Sequence, residues 1–417
     1  MKLERSTRML SNLRNDIEWF KNNPDISYLD SGATSLKPKP VIDFINYYCN
    51  HLCTNPHNDD SSFAHQAHLV IEDTKNKIAK LLNSDPSSIA FTPGATYSLN
   101  AIVNFLKPFL KDNDEIILTN GEHTSNLLPW FDLVNELKAY CNINIKIEYV
   151  EIDIHSDNIK NFLDKINKNT KVICFANEFN LIGCQIDAIK LSNEVKKINP
   201  NIFICVDATQ FIVHHKIDLK DSNIDFLSCS AHKMLGPTGI GALYINKKFI
   251  EKLKPHIVGG GMNFEVKRNY YSLIEGVTKF EAGTPNVMGI YGWNKALDYY
   301  LNSDLEKECA RIYQLKKYLD QNLTTVNDVI IFNSNIEAFN TIFAYKGIFS
   351  QDLANYLGTK KIIVRSGLSC AKLANEILKT DHVVRASFHF YTNKEDLDKL
   401  ISAIKNFKKE DILNGLL

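Results

Sequence analysis

At 417 residues with 44% hydrophobic side chains, the chain exceeds the length at which one hydrophobic core usually stops growing, so a large and a smaller domain are expected. Its 48 Lys plus Arg balance 48 Asp plus Glu, and no compact basic cluster carries interleaved aromatics, which excludes nucleic acid and anionic membrane as partners and leaves a small-molecule substrate. The nine cysteines form no CxxC pair, which excludes a disulfide framework or a zinc site and favours a reducing compartment.

In chain order, the charged start Met1-Lys-Leu-Glu-Arg-Ser-Thr-Arg8 is not followed by an apolar core with a cleavage site. No stretch reaches the ~18 apolar residues of a membrane span. A soluble cytosolic protein is expected, with a first helix around Asn15 to Asn22. From about residue 85 to 245, short apolar runs alternate with amphipathic stretches: Ile89-Ala-Phe, Glu115-Ile-Ile-Leu, Ile145-Lys-Ile-Glu-Tyr, Val172-Ile-Cys-Phe, Ile202-Phe-Ile-Cys-Val, Ile224-Asp-Phe-Leu-Ser and Ile240-Gly-Ala-Leu-Tyr. That is the βαβ signature of a mostly parallel, helix-covered sheet. A helical pattern from Val287 to Leu301 leads into a helix, strands and a helix. The expected division is a large domain over 25–295 and a smaller α+β domain from 1–24 with 296–417. Ligands of such sheets collect beyond the carboxyl ends of strands, so polar residues there are the first suspects.

The strongest local signal is Ser228-Cys-Ser-Ala-His-Lys-Met-Leu-Gly-Pro-Thr-Gly-Ile-Gly241, a strand running into Ser-x-His-Lys and a Gly/Pro-rich turn. Lys233 then stands at the mouth of the sheet, where burial beside other cations would leave its amine neutral and able to form a Schiff base. Taken singly, Lys233 reads as a surface lysine beside a turn. Val206-Asp-Ala-Thr-Gln210 puts Asp207 at another strand end, suited either to a helix N-cap or to a protonated pyridine nitrogen. Phe91-Thr-Pro-Gly-Ala-Thr-Tyr-Ser98 offers a turn and the start of a helix from Tyr97 to Leu106, whose amides with the Thr96 hydroxyl would cradle a phosphate. His123, in Glu122-His-Thr-Ser-Asn126, is placed either to lie flat on a ring or to serve a structural role.

Together these segments resemble class V pyridoxal-phosphate (PLP) enzymes of the cysteine desulfurase and selenocysteine lyase group, with weaker echoes of molybdenum-cofactor sulfurase amino-terminal domains. The likeness runs from Tyr28-Leu-Asp-Ser-Gly-Ala-Thr34 through Phe179-Asn-Leu-Ile-Gly183, Asp207 and Ser230-Ala-His-Lys233 to Phe280-Glu-Ala-Gly-Thr-Pro-Asn286 and Val364-Arg-Ser-Gly-Leu-Ser-Cys-Ala371. It implies the PLP-dependent transferase fold of type I, with a seven-stranded, mostly parallel sheet. It further implies that Lys233 bonds the cofactor, Asp207 faces the pyridine nitrogen, Gln210 approaches the phenolic oxygen and His123 stacks on the ring. Ala95, Thr96, Ser230 and His232 would hold the phosphate, and Thr284 would reach the phosphate of a neighbouring subunit in a homodimer with shared active sites. Asn180 would lie beside cofactor and substrate, Arg385 would grip the substrate carboxylate, and Arg365 would assist it.

The implied reaction converts L-cysteine to L-alanine, with a persulfide formed on Cys370 and passed to an acceptor protein, as in iron–sulfur cluster assembly. The alternatives are a selenocysteine lyase, another class V lyase, epimerase or aminotransferase, or an inactive scaffold. Four places depart from the family pattern. Leu368-Ser369 stand where a histidine usually precedes the cysteine, and Asn58 follows His57 where arginine and glycine are usual. Phe179 replaces a serine before Asn180, and Pro93 and Tyr97 replace charged residues of the phosphate loop.

Overall fold

The computed structural model describes residues 9–56 and 60–411. The first strand, β1 (Ser27–Tyr28), pairs with a segment far along the chain. Seven strands follow: β2 (Ile89–Thr92), β3 (Glu115–Thr119), β4 (Lys146–Val150), β5 (Thr170–Ala176), β6 (Phe203–Asp207), β7 (Phe226–Ser230) and β8 (Gly241–Ile245). They form one sheet in the order β2-β8-β7-β6-β5-β3-β4. All neighbours run parallel except β8, which is antiparallel to both β2 and β7.

These strands read as nearly continuous apolar runs because helices cover both faces and bury every residue of β3, β6, β7 and β8. Side chains alternate between two cores: Ile173 and Phe175 of β5 enter one, while Val172 and Cys174 enter the other with the helices Ala95–Leu106 and Leu128–Cys141. Only the edge strand β4 is largely open to solvent. Each of the seven apolar runs read from the sequence becomes one of these strands, and the mostly parallel α/β architecture is that of the observed sheet.

Beyond β8, β9 (Asn263–Lys267) and β10 (Tyr270–Leu273) form a separate antiparallel hairpin. The helix Val287–Leu301 has the bounds its periodicity predicts. The remaining strands are β11 (Val329–Ile331), β12 (Asn340–Tyr345), β13 (Ile362–Ile363), β14 (Arg365–Ser366) and β15 (Val384–Ser387). A second sheet has the order β11-β12-β15-β14, all antiparallel. We propose the domain division 25–295 against 1–24 with 296–417, with backbone pairing across it where β1 runs parallel to β13 and Asp30 bridges to Ser387.

Residues 362–366 form two dipeptide strands divided at Val364, because β13 bonds β1 whereas β14 bonds β15. Two local expectations differ. The first helix is two short ones, Leu13–Asp16 and Glu18–Asn22, parted at the fully buried Ile17. The helix placed from Tyr97 begins at Ala95. No described helix is long and apolar enough to cross a membrane.

Candidate active site

Asp207 is the last residue of β6 and Ser230 the last of β7, so both lie at carboxyl ends of central parallel strands. A single 3-10 turn, Ala231–Lys233, then carries Lys233 inward, where it is 9% exposed. The return into β8 needs glycine at 241, since a Cβ there would stand 2.5 Å from the Cys229 carbonyl and 2.8 Å from Gly94 Cα. That contact seats the Gly94-Ala95 turn directly beside the lysine turn.

These strand ends enclose a cavity of about 340 Å³, within the range of small-molecule sites. Ala95, Thr96, His123, Asn180, Asp207, Gln210, Ser230, His232, Lys233, Arg365, Cys370 and Arg385 all line it. Of the candidates read from the sequence, only Thr284 does not; it is solvent-exposed. His57 and Asn58 lie outside the described residues.

Burial pulls the Lys233 amine down to about 8, with Arg385 acting in the same direction and Asp207, Glu178 and Cys370 opposing. Among the described residues no group hydrogen-bonds this amine. Asp207 receives the Thr209 amide (3.0 Å), the Thr209 hydroxyl and the Ser228 hydroxyl (3.4 Å), all on Oδ1. Its Oδ2 is left for the cavity. His123 accepts the Ser125 amide at Nδ1 (3.1 Å), and burial followed by Lys233 pushes its pKa down. A neutral ring accepting at Nδ1 carries its proton on Nε2.

The phosphate-side residues are prearranged. The Ala95 amide donates to Ser230 Oγ at 2.7 Å, and the Thr96 and Ser125 hydroxyls pair at 2.9 Å. The helix starting at Ala95 has no side-chain cap, so its first amides suit an anion. His232 is held neutral, down to about 4, chiefly by burial, and its Nδ1 pairs with Thr34 Oγ1 at 3.2 Å. Gln210 donates to the Gly32 carbonyl at 3.0 Å.

On the substrate side, Arg385 is 1% exposed and donates from Nη1 to the Asn180 carbonyl (2.8 Å) and from Nη2 to Asp30 Oδ1 (2.9 Å). Arg365 meets the same carboxylate through Nε and Nη2. Cys370 is exposed, and its loop holds Gly367, Ser369 and Cys370 at φ of 73°, 49° and 64°. Asn180 Nδ2 donates to the Ser369 carbonyl at 2.8 Å, and the Thr124 amide donates to the Cys370 carbonyl at 2.8 Å.

These residues fit PLP and an amino-acid substrate. An uncapped helix start ringed by hydroxyls suits a phosphate, a free carboxylate oxygen suits a pyridinium, and a buried amine held partly neutral suits an aldehyde. Three buried polar atoms of cavity-lining residues, Asn180 Oδ1, Ser369 Oγ and Arg385 Nε, have no partner among the described residues, as expected where a polar ligand completes the set.

The sequence reading missed Asp30, the counter-ion of both arginines, and Glu178, a cavity-lining carboxyl that burial pushes up to about 8. Both had a signal. Asp30 sits in the Tyr28–Thr34 segment, and Glu178 stands just beyond the carboxyl end of β5.

The family model "Aminotransferase class-V" matches residues 27–400. A probable cysteine desulfurase of Ureaplasma parvum is 45% identical over 399 residues, covering 96% of this chain and 98% of that protein. A probable cysteine desulfurase of Mycoplasma genitalium is 36% identical over 410 residues, 98% of each. Among solved structures, the apo cysteine desulfurase of Thermococcus onnurineus superposes with a TM-score of 0.87 at 29% identity, covering 96% of this chain and 98% of that one.

Proposed function

This chain belongs to the class-V aminotransferase family, and from that premise we propose that, as a PLP-dependent cysteine desulfurase, it converts L-cysteine to L-alanine and takes the sulfur onto Cys370 as a persulfide. The enzyme class rests on the family and on the whole-length likeness to cysteine desulfurases. The residue roles rest on one observation: a buried amine, an unpaired carboxylate oxygen and an exposed thiol line one cavity with two arginines.

PLP, when bound, supplies an electron sink for the bonds of the substrate α-carbon. Lys233 would hold the cofactor, and its amine, held down by burial, would be the base for the α-proton. Asp207 Oδ2 would fix the charge on the ring nitrogen, with Oδ1 immobilised by Thr209 and Ser228. His123 would stack on the ring, Gln210 would meet the phenolic oxygen, and Ala95, Thr96, Ser230 and His232 would hold the phosphate. Arg385, with Arg365, orients the substrate carboxylate, and Asn180 lies between that carboxylate and the Cys370 loop. The Cys370 thiolate attacks the substrate sulfur and keeps it as a persulfide when the carbon–sulfur bond breaks; the released carbon takes up a proton to become the methyl group of alanine, and Lys233 returns the α-proton.

We take the active form as a homodimer passing sulfur to an acceptor protein, as in iron–sulfur assembly. Supporting the dimer, the β9–β10 hairpin carries the exposed Phe264, Val266 and Tyr271 on one side, an apolar face of the kind a second copy covers. Thr284, outside its own cavity, suits a neighbouring one. All nine cysteines are free, in keeping with the reducing cytoplasm. The test is release of alanine and sulfide from cysteine, with and without reductant. Alanine with reductant-dependent sulfide supports the reading, and alanine formation undiminished in Cys370→Ala refutes the sulfur route.

A further inference from the structure

Strand register sets Arg365 of β14 directly opposite Arg385 of β15 in an antiparallel pair. Like charges facing each other in that position repel, and here one of them is 1% exposed. Asp30 answers both. Its Oδ1 accepts from Arg385 Nη2 at 2.9 Å, and its Oδ2 accepts from Arg365 Nη2 at 2.8 Å and Nε at 3.1 Å. Among the described residues it is the one carboxylate in ion-pair contact with either guanidinium.

Asp30 is itself held in place. Its backbone bridges in parallel to Ser387, two residues past Arg385, and its side chain is buried. The approach depends on Gly32, where a Cβ would sit 3.1 Å from Arg385 Cζ. Two guanidinium charges and one carboxylate leave a single positive charge at the cavity wall, and Arg385 Nε is buried without a partner among the described residues. One carboxylate would neutralise the group.

We propose that Asp30 is a positioning residue that locks Arg365 and Arg385 into one receptor with a single net positive charge, matched to a substrate bearing one free carboxylate. The inference rests on the amino-acid substrate assigned above and goes beyond it by naming what sets the receptor's geometry and charge. The opposite role is a competitor, an internal carboxylate occupying donors the substrate needs. That role makes the opposite prediction, tighter ligand binding once the charge is removed.

The test titrates the holoenzyme with L-alanine and with L-alaninamide, which lacks the carboxylate, reading cofactor absorbance and heat of binding. The parent should prefer L-alanine. In Asp30→Asn that preference should fall by about tenfold or more, through weaker L-alanine binding with the amide affinity nearly unchanged, the size expected for misplaced charge-assisted hydrogen bonds. Asp30→Glu, which keeps the charge and changes only the reach, should recover part of the preference and carries the test if the asparagine variant does not fold. An unchanged preference, tighter L-alanine binding or an equal loss for both ligands overturns the inference alone. A parent that binds neither ligand and releases no alanine from cysteine overturns the desulfurase reading together with it.

Discussion

The side-chain amide of Asn180 donates to the Ser369 carbonyl at 2.8 Å, tying the segment beyond β5 to the loop that carries Cys370. The Thr124 amide holds the next carbonyl, that of Cys370, also at 2.8 Å. Both loop residues have left-handed backbone, which costs side chains other than glycine about 1–3 kcal/mol each. Those two bonds, with the Ala371 amide on the Leu368 carbonyl at 2.8 Å, offset that cost. Asn180→Ala should loosen it. Alkylation of Cys370 by iodoacetamide should quicken by about fivefold, the worth of one hydrogen bond, while persulfide formation slows. An unchanged alkylation rate would show that the bond does not restrain the thiol.

Cys370→Ala should lower alanine release from cysteine by about a hundredfold or more, since it removes the nucleophile. Cofactor absorbance should remain. Mass spectrometry of the parent after exposure to cysteine should find the persulfide on the peptide containing Cys370, and a persulfide on another cysteine would reassign the acceptor.

The Lys233 amine, ordinarily near 10.5, is held at about 8 by burial. Only the neutral amine attacks an aldehyde, so uptake of PLP by the apo-protein should rise about tenfold per pH unit up to about 8 and level off above it. Stopped-flow absorbance checks this. A flat profile from pH 6 to 9 would contradict the assignment.

Glu178 is raised from 4.5 to about 8 by burial. Between those values the folded chain keeps a proton that the unfolded chain has lost. Its contribution to stability is therefore full below about 4.5 and is lost as pH rises through about 8. Glu178→Gln, which never ionises, should gain on the parent in unfolding free energy from pH 5 to pH 8, by an amount on the order of a few kcal/mol, read by denaturant titration. A constant difference across that range would refute the burial argument.

What could be read from the sequence was local. Lys233 and Asp207 stand at the ends of apolar runs, and a strand followed by a polar residue places that residue at the sheet's mouth whatever the rest of the chain does. The Ala95 turn was legible for the same reason, although its helix starts two residues before Tyr97. Asp30 was not legible as a counter-ion, because its partners are 335 and 355 residues away and meet it only when β1 threads against β13. The division of residues 362–366 at Val364 was hidden for a related reason: its two halves bond to strands from opposite ends of the chain. Glu178 follows an apolar run as Asp207 does, but its burial and raised pKa come from packing across the cavity wall.

The central claim is that Lys233 is the residue bonded to the cofactor. Borohydride reduction of the holoenzyme, followed by proteolysis and mass spectrometry, tests it most directly. The account predicts a reduced pyridoxyl phosphate adduct on the peptide containing Lys233, and none in Lys233→Ala. An adduct on a different lysine, or no adduct in a protein that still releases alanine from cysteine, would contradict it.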